Sequence, residues 1–374
     1  MYKPQNTVVS NDSYAILNAI RNSVGGEFRA HTPLVQSADD AKAYGLYVCG
    51  SGDARNSFMN SLINRIAQVM CLVSSYENPL KRYKKGILGP GEMVENIWVG
   101  LVTPEGWTQN PATPGDVFQT NNPDNEVSFH PVNSKLVYEI TTNDSELSLA
   151  FTTDGGVYDL VSRIVGRLTD SAEWDEYIMM KYVIARALLA NSDAVLSVAT
   201  LNAANSDAII SSMKAVSNNM RFMNTDYNVA GVATHSPIDK QVFFLTANAS
   251  AVLDVSSLAK AYNLSYVDFI GQQQLVYTFS FTTAELTRLN AIMTETAAQG
   301  LVPGYTPFTE QELTALGHIV GATIDEDFFM VFDKLYQVNA AFDPKHLNTN
   351  NFLHNWKIYS YNPFANSVFF SDAQ

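Results

Sequence analysis

Residue types capable of chemistry are thinly spread along this chain. The six histidines stand at positions 31, 130, 235, 318, 346 and 354, and none belongs to a metal motif such as H-E-x-x-H. Isolated histidines of this kind read as surface or satisfied structural groups. "TIDEDFF", residues 323 to 329, brings Asp325, Glu326 and Asp327 together. Adjacent carboxylates suit a hard cation, but no glycine-turned loop with a closing Glu follows, so a solvated turn before a strand is expected. "CGSGDAR", residues 49 to 55, sets glycines ahead of a helix start, an arrangement that lets free amides hold an anion. It lacks both the G-K-[ST] of a phosphate loop and the G-x-G-x-x-G of a dinucleotide site, and reads as a turn and cap. "KKGILGPGE" is similar, and its Pro90 removes an amide that an anion would need. No G-x-S-x-G elbow and no cysteine in a catalytic signature occurs. The two cysteines, Cys49 and Cys71, make neither a metal spacing nor a disulfide framework and are expected reduced and buried. No catalytic residue, metal or cofactor follows from these motifs.

Charge is more informative. "ENPLKRYKKG", residues 77 to 86, concentrates Lys81, Arg82, Lys84 and Lys85 in a chain with a formal net charge of -14. A general nucleic-acid binder gains affinity from a basic face, which a pI near 4.8 argues against. A targeting signal needs a mobile tail, whereas this run sits between a helix and a strand. A solvated turn remains one reading. The favoured one puts these residues at the root of an intersubunit arm, paired with acidic groups on an adjacent copy, with Pro79 and Tyr83 fixing the backbone. Trp98 and Trp107, further along the arm, join them as candidate intersubunit contacts.

The elements that must position these groups follow from periodicity. A helix is expected near residue 13, capped from "NDS" and carrying Ile16, Leu17 and Ile20; a second opens at Asp53 with Phe58, Leu62, Ile66 and Val69. "GEMVENIWVGLV" and "KLVYEITT" read as antiparallel strands. The segment between them holds Pro104, Pro111, Pro114, Pro123 and Pro131 and reads as a long irregular connection. A unit of this kind is too thin to bury a core of its own, so its partner is expected to be another chain. The apolar positions from Val157 to Leu189 fit one long helix over residues 156 to 190, with Gly166 or the Asp170–Glu173 region as places for a kink. Helices and strands then alternate: a helix from Ser206 or Asp207, strands at "QVFFL" and "LVYTFSF", helices through "DVSSLAKAYN" and "TTAELTRLNAIM", and aromatic strands at "FFMVFDKL", "FLHNWKIYSY" and "SVFF". This is an α+β pattern.

Only 16% of the 374 residues are charged, against roughly 25% in an ordinary soluble domain. Interface cores exclude charge, so a charge-poor surface fits one covered by other subunits; an Asn- and Ser-rich monomer fits the same composition. The N-terminal "MYKPQNTVVSNDS" has no apolar stretch of signal-peptide length, and nothing approaches the roughly 18 apolar residues of a membrane span, so a soluble product made in a cytosol is expected.

"YAILNAIRNSVGGEF", "ENPLKRYKKG", "SAEWDEYIMMK", "LAKAYNLSYVDFIG", "DEDFFMVFDKL" and "NPFANSVFF" together resemble the ordered landmarks of the major capsid (head) proteins of small phi-29-like podoviruses. Each motif is weak by itself, and their order across residues 14 to 370 carries the resemblance. It implies the Hong Kong 97-like capsid fold, with an N-terminal arm, an extended hairpin loop, a long spine helix, and peripheral and axial domains. The expected organisation is an N-terminal arm and start of the peripheral domain (1–79), the hairpin loop or intersubunit arm (80–150), the spine helix (151–194), the axial domain (195–320, with an insertion at 280–316) and return strands (321–374). The immunoglobulin-like surface domain of some relatives is expected to be absent. The implied function is a non-enzymatic head protein of the virion, assembled in the host cytoplasm from pentamers and hexamers, and enclosing double-stranded DNA without specific binding. A scaffolding protein and a portal at one vertex are implied partners. An encapsulin-like compartment and a cytosolic hydrolase are the alternatives.

Overall fold

The computed structural model describes residues 12–69, 76–89, 91–104, 106, 122–152, 156–258, 273–302 and 304–373. Cys71, Trp107, the first residues of the expected N-terminal arm and all of the "LAKAYNLSYVDFIG" landmark after Leu258 lie outside them. The chain divides into two compact units, each built from three segments: residues 1–81, 134–177 and 335–356 in the first, and 82–133, 178–334 and 357–374 in the second.

The first unit opens with four helices, α1 (Asp12–Val24), α2 (Gly26–His31), α3 (Ala38–Gly50) and α4 (Gly52–Val69). The turn from α1 to α2 places Gly25 at φ 65° and Gly26 at φ 52°, a left-handed pair that glycine adopts without a Cβ penalty. Ser37 and Asp40 form a capping box that starts α3. Strand β4 (Ser134–Asn143) leads directly into α5 (Asp144–Thr152). Helix α6 (Gly156–Ala190) is a single helix of 35 residues with no break at Gly166 or Asp170, and its first part closes this unit. Leu17, Ile20, Tyr44, Phe58, Met59, Phe151, Leu160, Ile164 and Leu168 share one core. Residues 12–69, in the stretch expected to begin as an arm, therefore supply much of a packed interior. Arg55 lies 4.2 Å over the ring of Phe342, and Asn56 and Asn60 accept the amides of Phe342 and Ala340, joining α4 to strand β9 (Phe329–Asp343).

The second unit centres on a five-stranded sheet ordered β5-β11-β8-β6-β7: β5 (Val195–Ser197), β11 (Ser367–Ser371), β8 (Ile319–Asp325), β6 (Gln241–Thr246) and β7 (Gln273–Val276). Strand β8 is antiparallel to both neighbours, while the edge strands β5 and β7 run parallel to theirs. The three central strands are buried along their whole length, as expected for a sheet covered on both faces. Helices α7 (Ser206–Asn219) and α8 (Ala247–Leu258) cover one face through Ile209, Met213, Val216, Ala249 and Leu253. Helices α9 (Thr283–Ala298) and α10 (Glu310–Gly317) fill the region expected as an insertion, each opened by a Thr/Glu capping box. They are held to the later part of α6 by a buried Lys181–Glu285 pair at 3.1 Å and by Arg186, which lies 4.3 Å over Phe308 and donates to the Thr306 carbonyl.

Candidate assembly interface

The site is built from the basic run upward. Ahead of it, in the first unit, α6 presents carboxylates at the helical spacing that puts successive side chains on one face. Asp170 accepts the Tyr76 amide, Glu173 accepts the Asn78 amide, and Glu176 accepts Asn78 Nδ2 at 2.9 Å. Lys81 completes this contact, 3.3 Å from Glu173 and 3.7 Å from Glu77.

From Arg82 onward the run belongs to the second unit. Tyr83 is buried between Phe329 and Phe244, with ring centroids at 5.2 and 5.5 Å, and burial pushes its hydroxyl up to about 12. Arg82 lies over the Tyr83 ring and donates to its hydroxyl. Lys84 sits 2.8 Å from Asp333, whose other oxygen is 3.3 Å from Lys357 of strand β10 (Asn348–Tyr361). Lys85 reaches Asp327 at 2.9 Å, and Lys240 reaches the same carboxylate at 2.7 Å. Hydrogen bonds from Lys240 and Lys85 hold the Asp327 carboxyl below its usual range.

The backbone is fixed as well. The Lys85 amide donates to Val331, and strand β1 (Gly86–Ile87) runs parallel to β9 at Phe332 and Asp333, with Gly86 at φ 128°. Lys334 then caps the next turn by donating to the carbonyls of Gly89 and Glu92. The basic run is thus a staple whose acidic partners lie in its own chain. Sequence reading missed those partners because Asp327 and Asp333 lie far downstream in linear order.

The turn at 325–327 also differs from the solvated turn expected. Asp325 is 6% exposed, accepts from Ser236 Oγ and the Asp327 amide, and burial raises its carboxyl above the ordinary value. Ser236 in turn meets Asn366, and Gln241 bridges Ser217 and the Ser236 carbonyl, so Asp325 belongs to a buried polar network. Among the described residues no group of three or more His, Cys, Asp or Glu side chains converges on a common point, and no described helix is long and apolar enough to cross a membrane.

Beyond the staple the arm is a ribbon of β2 (Val94–Val99) and β3 (Asn125–His130). The expected pairing of "VENIWV" with "KLVYEITT" is corrected here. Its partner is "NEVSFH", at the end of the proline-rich segment, with Ile97 opposite Val127 and Glu95 opposite Phe129; β4 belongs to the first unit. One face of the ribbon meets the chain itself: Trp98 donates to the Ala233 carbonyl at 3.1 Å, and His130 bridges Asn96 and Ser360. The other face is open, with Ile97 at 59%, Val99 at 56%, Val127 at 47% and Phe129 at 60% exposure, and Leu101 and Val102, just past β2, are exposed as well.

A family model for the Phi29-like phage major capsid protein matches residues 17–371. The chain belongs to this family. The capsid protein is 28% identical over 366 residues to the major capsid protein of Bacillus phage PZA, a match covering 96% of this chain and 73% of the relative. Among solved structures it resembles a chain in the structure of the head fiber and inner core protein gp22 of bacteriophage P68 (TM-score 0.58, 12% identity, covering 79% of this chain and 85% of that one). It also resembles a chain of the Staphylococcus phage Andhra capsid (TM-score 0.54, 11% identity, covering 81% and 87%). The fold is the Hong Kong 97-like capsid fold, in its α+β form. The family is structural, not enzymatic, which sets aside the hydrolase alternative, and the capsid protein is a virion component that associates with itself in the shell.

Proposed function

We propose that copies of this capsid protein assemble into pentamers and hexamers that close around double-stranded DNA, and that the β2–β3 ribbon, within the stretch 82–133, acts as the arm between neighbours. The observation that carries this reading is the two-sidedness of the ribbon. Its inner face is occupied by its own unit, while Ile97, Val99, Val127 and Phe129 form a continuous apolar face open to solvent. A two-stranded ribbon is marginal by itself, and such a face gains stability by being covered. Lys81, Arg82, Lys84 and Lys85 act here by fixing how the arm leaves the subunit, and Trp98 secures its inner face.

Each contact can be modest because closed symmetry repeats it. The formal charge of -14 suits a wall that encloses DNA without condensing it. A scaffolding protein during assembly and a portal at one vertex complete the proposal, on the resemblance to phi-29-like heads. The test is Ile97→Glu combined with Phe129→Glu, co-expressed with the cognate scaffold and examined by electron microscopy and sedimentation. Folded subunits that form no shells are expected; normal shells from this variant would sink the assignment of the arm.

A further inference from the structure

We propose that His130 is an acid-sensitive pin that holds the ribbon against its own subunit, so that protonation frees the arm. The proposal rests on the reading of β2–β3 as the intersubunit arm and concerns what regulates it. His130 ends β3, is 2% exposed, and lies where the ribbon meets β10. Its Nδ1 is 2.8 Å from Ser360 Oγ on β10, and its Nε2 is 3.1 Å from Asn96 Nδ2 on β2. One imidazole therefore ties both ribbon strands to a strand that is not part of the ribbon.

Burial between two neutral partners favours the neutral ring at this tie. Asn96 Nδ2 can only donate, so Nε2 accepts and the single ring proton sits on Nδ1, donating to Ser360. A second proton on Nε2 requires the Asn96 amide to turn and offer Oδ1, and Ser360 Oγ to accept in place of its present role. It would also place a charge on a ring that is 2% exposed, with neutral partners on both sides.

The titratable groups on the surrounding strands are on the other face, distant or already engaged; Glu126 shares the face of His130 but is remote from it. Glu95 stands on the outer face opposite Phe129. Glu126 is exposed and four residues from His130 along β3, roughly 13 Å away at strand rise. On β10, Lys357 is engaged by Asp333, and Tyr361 stacks on Phe328. Burial lowers the basicity of His130 accordingly. The sign follows: a released His130 takes up its proton near pH 6.5, the pinned one only at lower pH. Between those values acidification favours release, by up to about tenfold in the released-to-pinned ratio per pH unit.

Hydrogen exchange on unassembled full-length subunits tests this, with rates corrected for intrinsic pH dependence. Between pH 7.5 and 5.5, peptides covering residues 94–102 and 122–132 should lose protection by up to about tenfold, while those covering 319–325 do not change. His130→Gln, which cannot titrate, should abolish that pH dependence. The same fall in His130→Gln, or constant wild-type protection, overturns the pin. If glutamine does not hold the ribbon at pH 7.5, wild-type protein decides alone, since arm and core losing protection together would also overturn it. The readout uses no assembled particle, so failure of the intersubunit reading, seen as shells from the Ile97/Phe129 variant, is distinguishable from failure of the pin.

Discussion

Reversing Lys84 to Glu separates a staple inside the subunit from a contact between subunits. The Lys84 side chain is 14% exposed and its partner Asp333 21%, at 2.8 Å. Substitution removes this attraction and sets two carboxylates side by side. At about 4 Å and an effective dielectric near 20, one such pair of charges is worth about 4 kcal/mol before relaxation. Lys357 remains 3.3 Å from Asp333 and offsets part of this. Breaking one side of a buried pair costs about 3–5 kcal/mol, so a loss of about 2–4 kcal/mol is expected for Lys84→Glu. Lys85→Glu is the internal control. Its pair is more exposed, at 26% and 47%, and Lys240 keeps hold of Asp327, so the loss should stay below about 1 kcal/mol. Urea denaturation of unassembled subunits, followed by circular dichroism, measures both, and particle yield is read in parallel. If Lys84→Glu unfolds with the wild-type midpoint yet forms no shells, its operative partner lies on another copy and the staple is incidental.

Two further predictions concern the packed interiors of the two units. Lys181→Met strands the Glu285 carboxylate, 5% exposed, at the start of α9; a destabilisation of about 3–5 kcal/mol is expected, relieved in the Lys181→Met/Glu285→Gln double variant, with both measured by chemical denaturation. Gly45→Ala would ordinarily strengthen a helix by about 1 kcal/mol, but its Cβ would stand 2.6 Å from the Phe151 ring on α5. Overpacking of about 1–3 kcal/mol should win, and a rise in thermal midpoint would show that α5 can shift aside.

What was legible in the sequence was whatever is written in neighbouring residues. The apolar repeat from residue 156 marked α6 to its ends, because a helix buries a stripe at a fixed short period. The apolar runs "QVFFL" and "SVFF" marked β6 and β11, because strands buried on both faces read as continuous apolar segments; "FFMVFDKL" and "FLHNWKIYSY" fall on the half-buried β9 and β10, while β8, equally buried but without an aromatic residue, was not anticipated. The partner of β2 was not legible. "NEVSFH" follows a proline-rich stretch and alternates only weakly, so "KLVYEITT", with its clean period of two, drew the assignment instead. Asp325 was misread because burial of a carboxylate depends on Ser236, Gln241 and Asn366, which the fold alone gathers. The basic run was conspicuous as charge, yet nothing local tells an intramolecular partner from an intermolecular one.

The staple explains why a charge-poor chain concentrates cations at this point. A ribbon with one open face cannot be oriented by a core of its own, so its direction is set by its root and by the contacts of its inner face at Trp98 and His130. Six residues of strand extend about 20 Å, and over that lever an angular error of about 10° moves the tip by about 3.5 Å, comparable to the whole range of a van der Waals contact. Ion pairs anchored at Asp327 and Asp333, backbone bonds to Val331 and Asp333, and the ring of Tyr83 constrain the root along separate directions. Apolar packing alone is non-directional and would leave that angle loose. Pre-setting it in the subunit lowers the ordering cost at each contact, and a closed shell repeats that gain at every copy. On the proposed reading of the ribbon as the arm between neighbours, the positive charge serves assembly through geometry, with the attraction itself left to the apolar face of the ribbon.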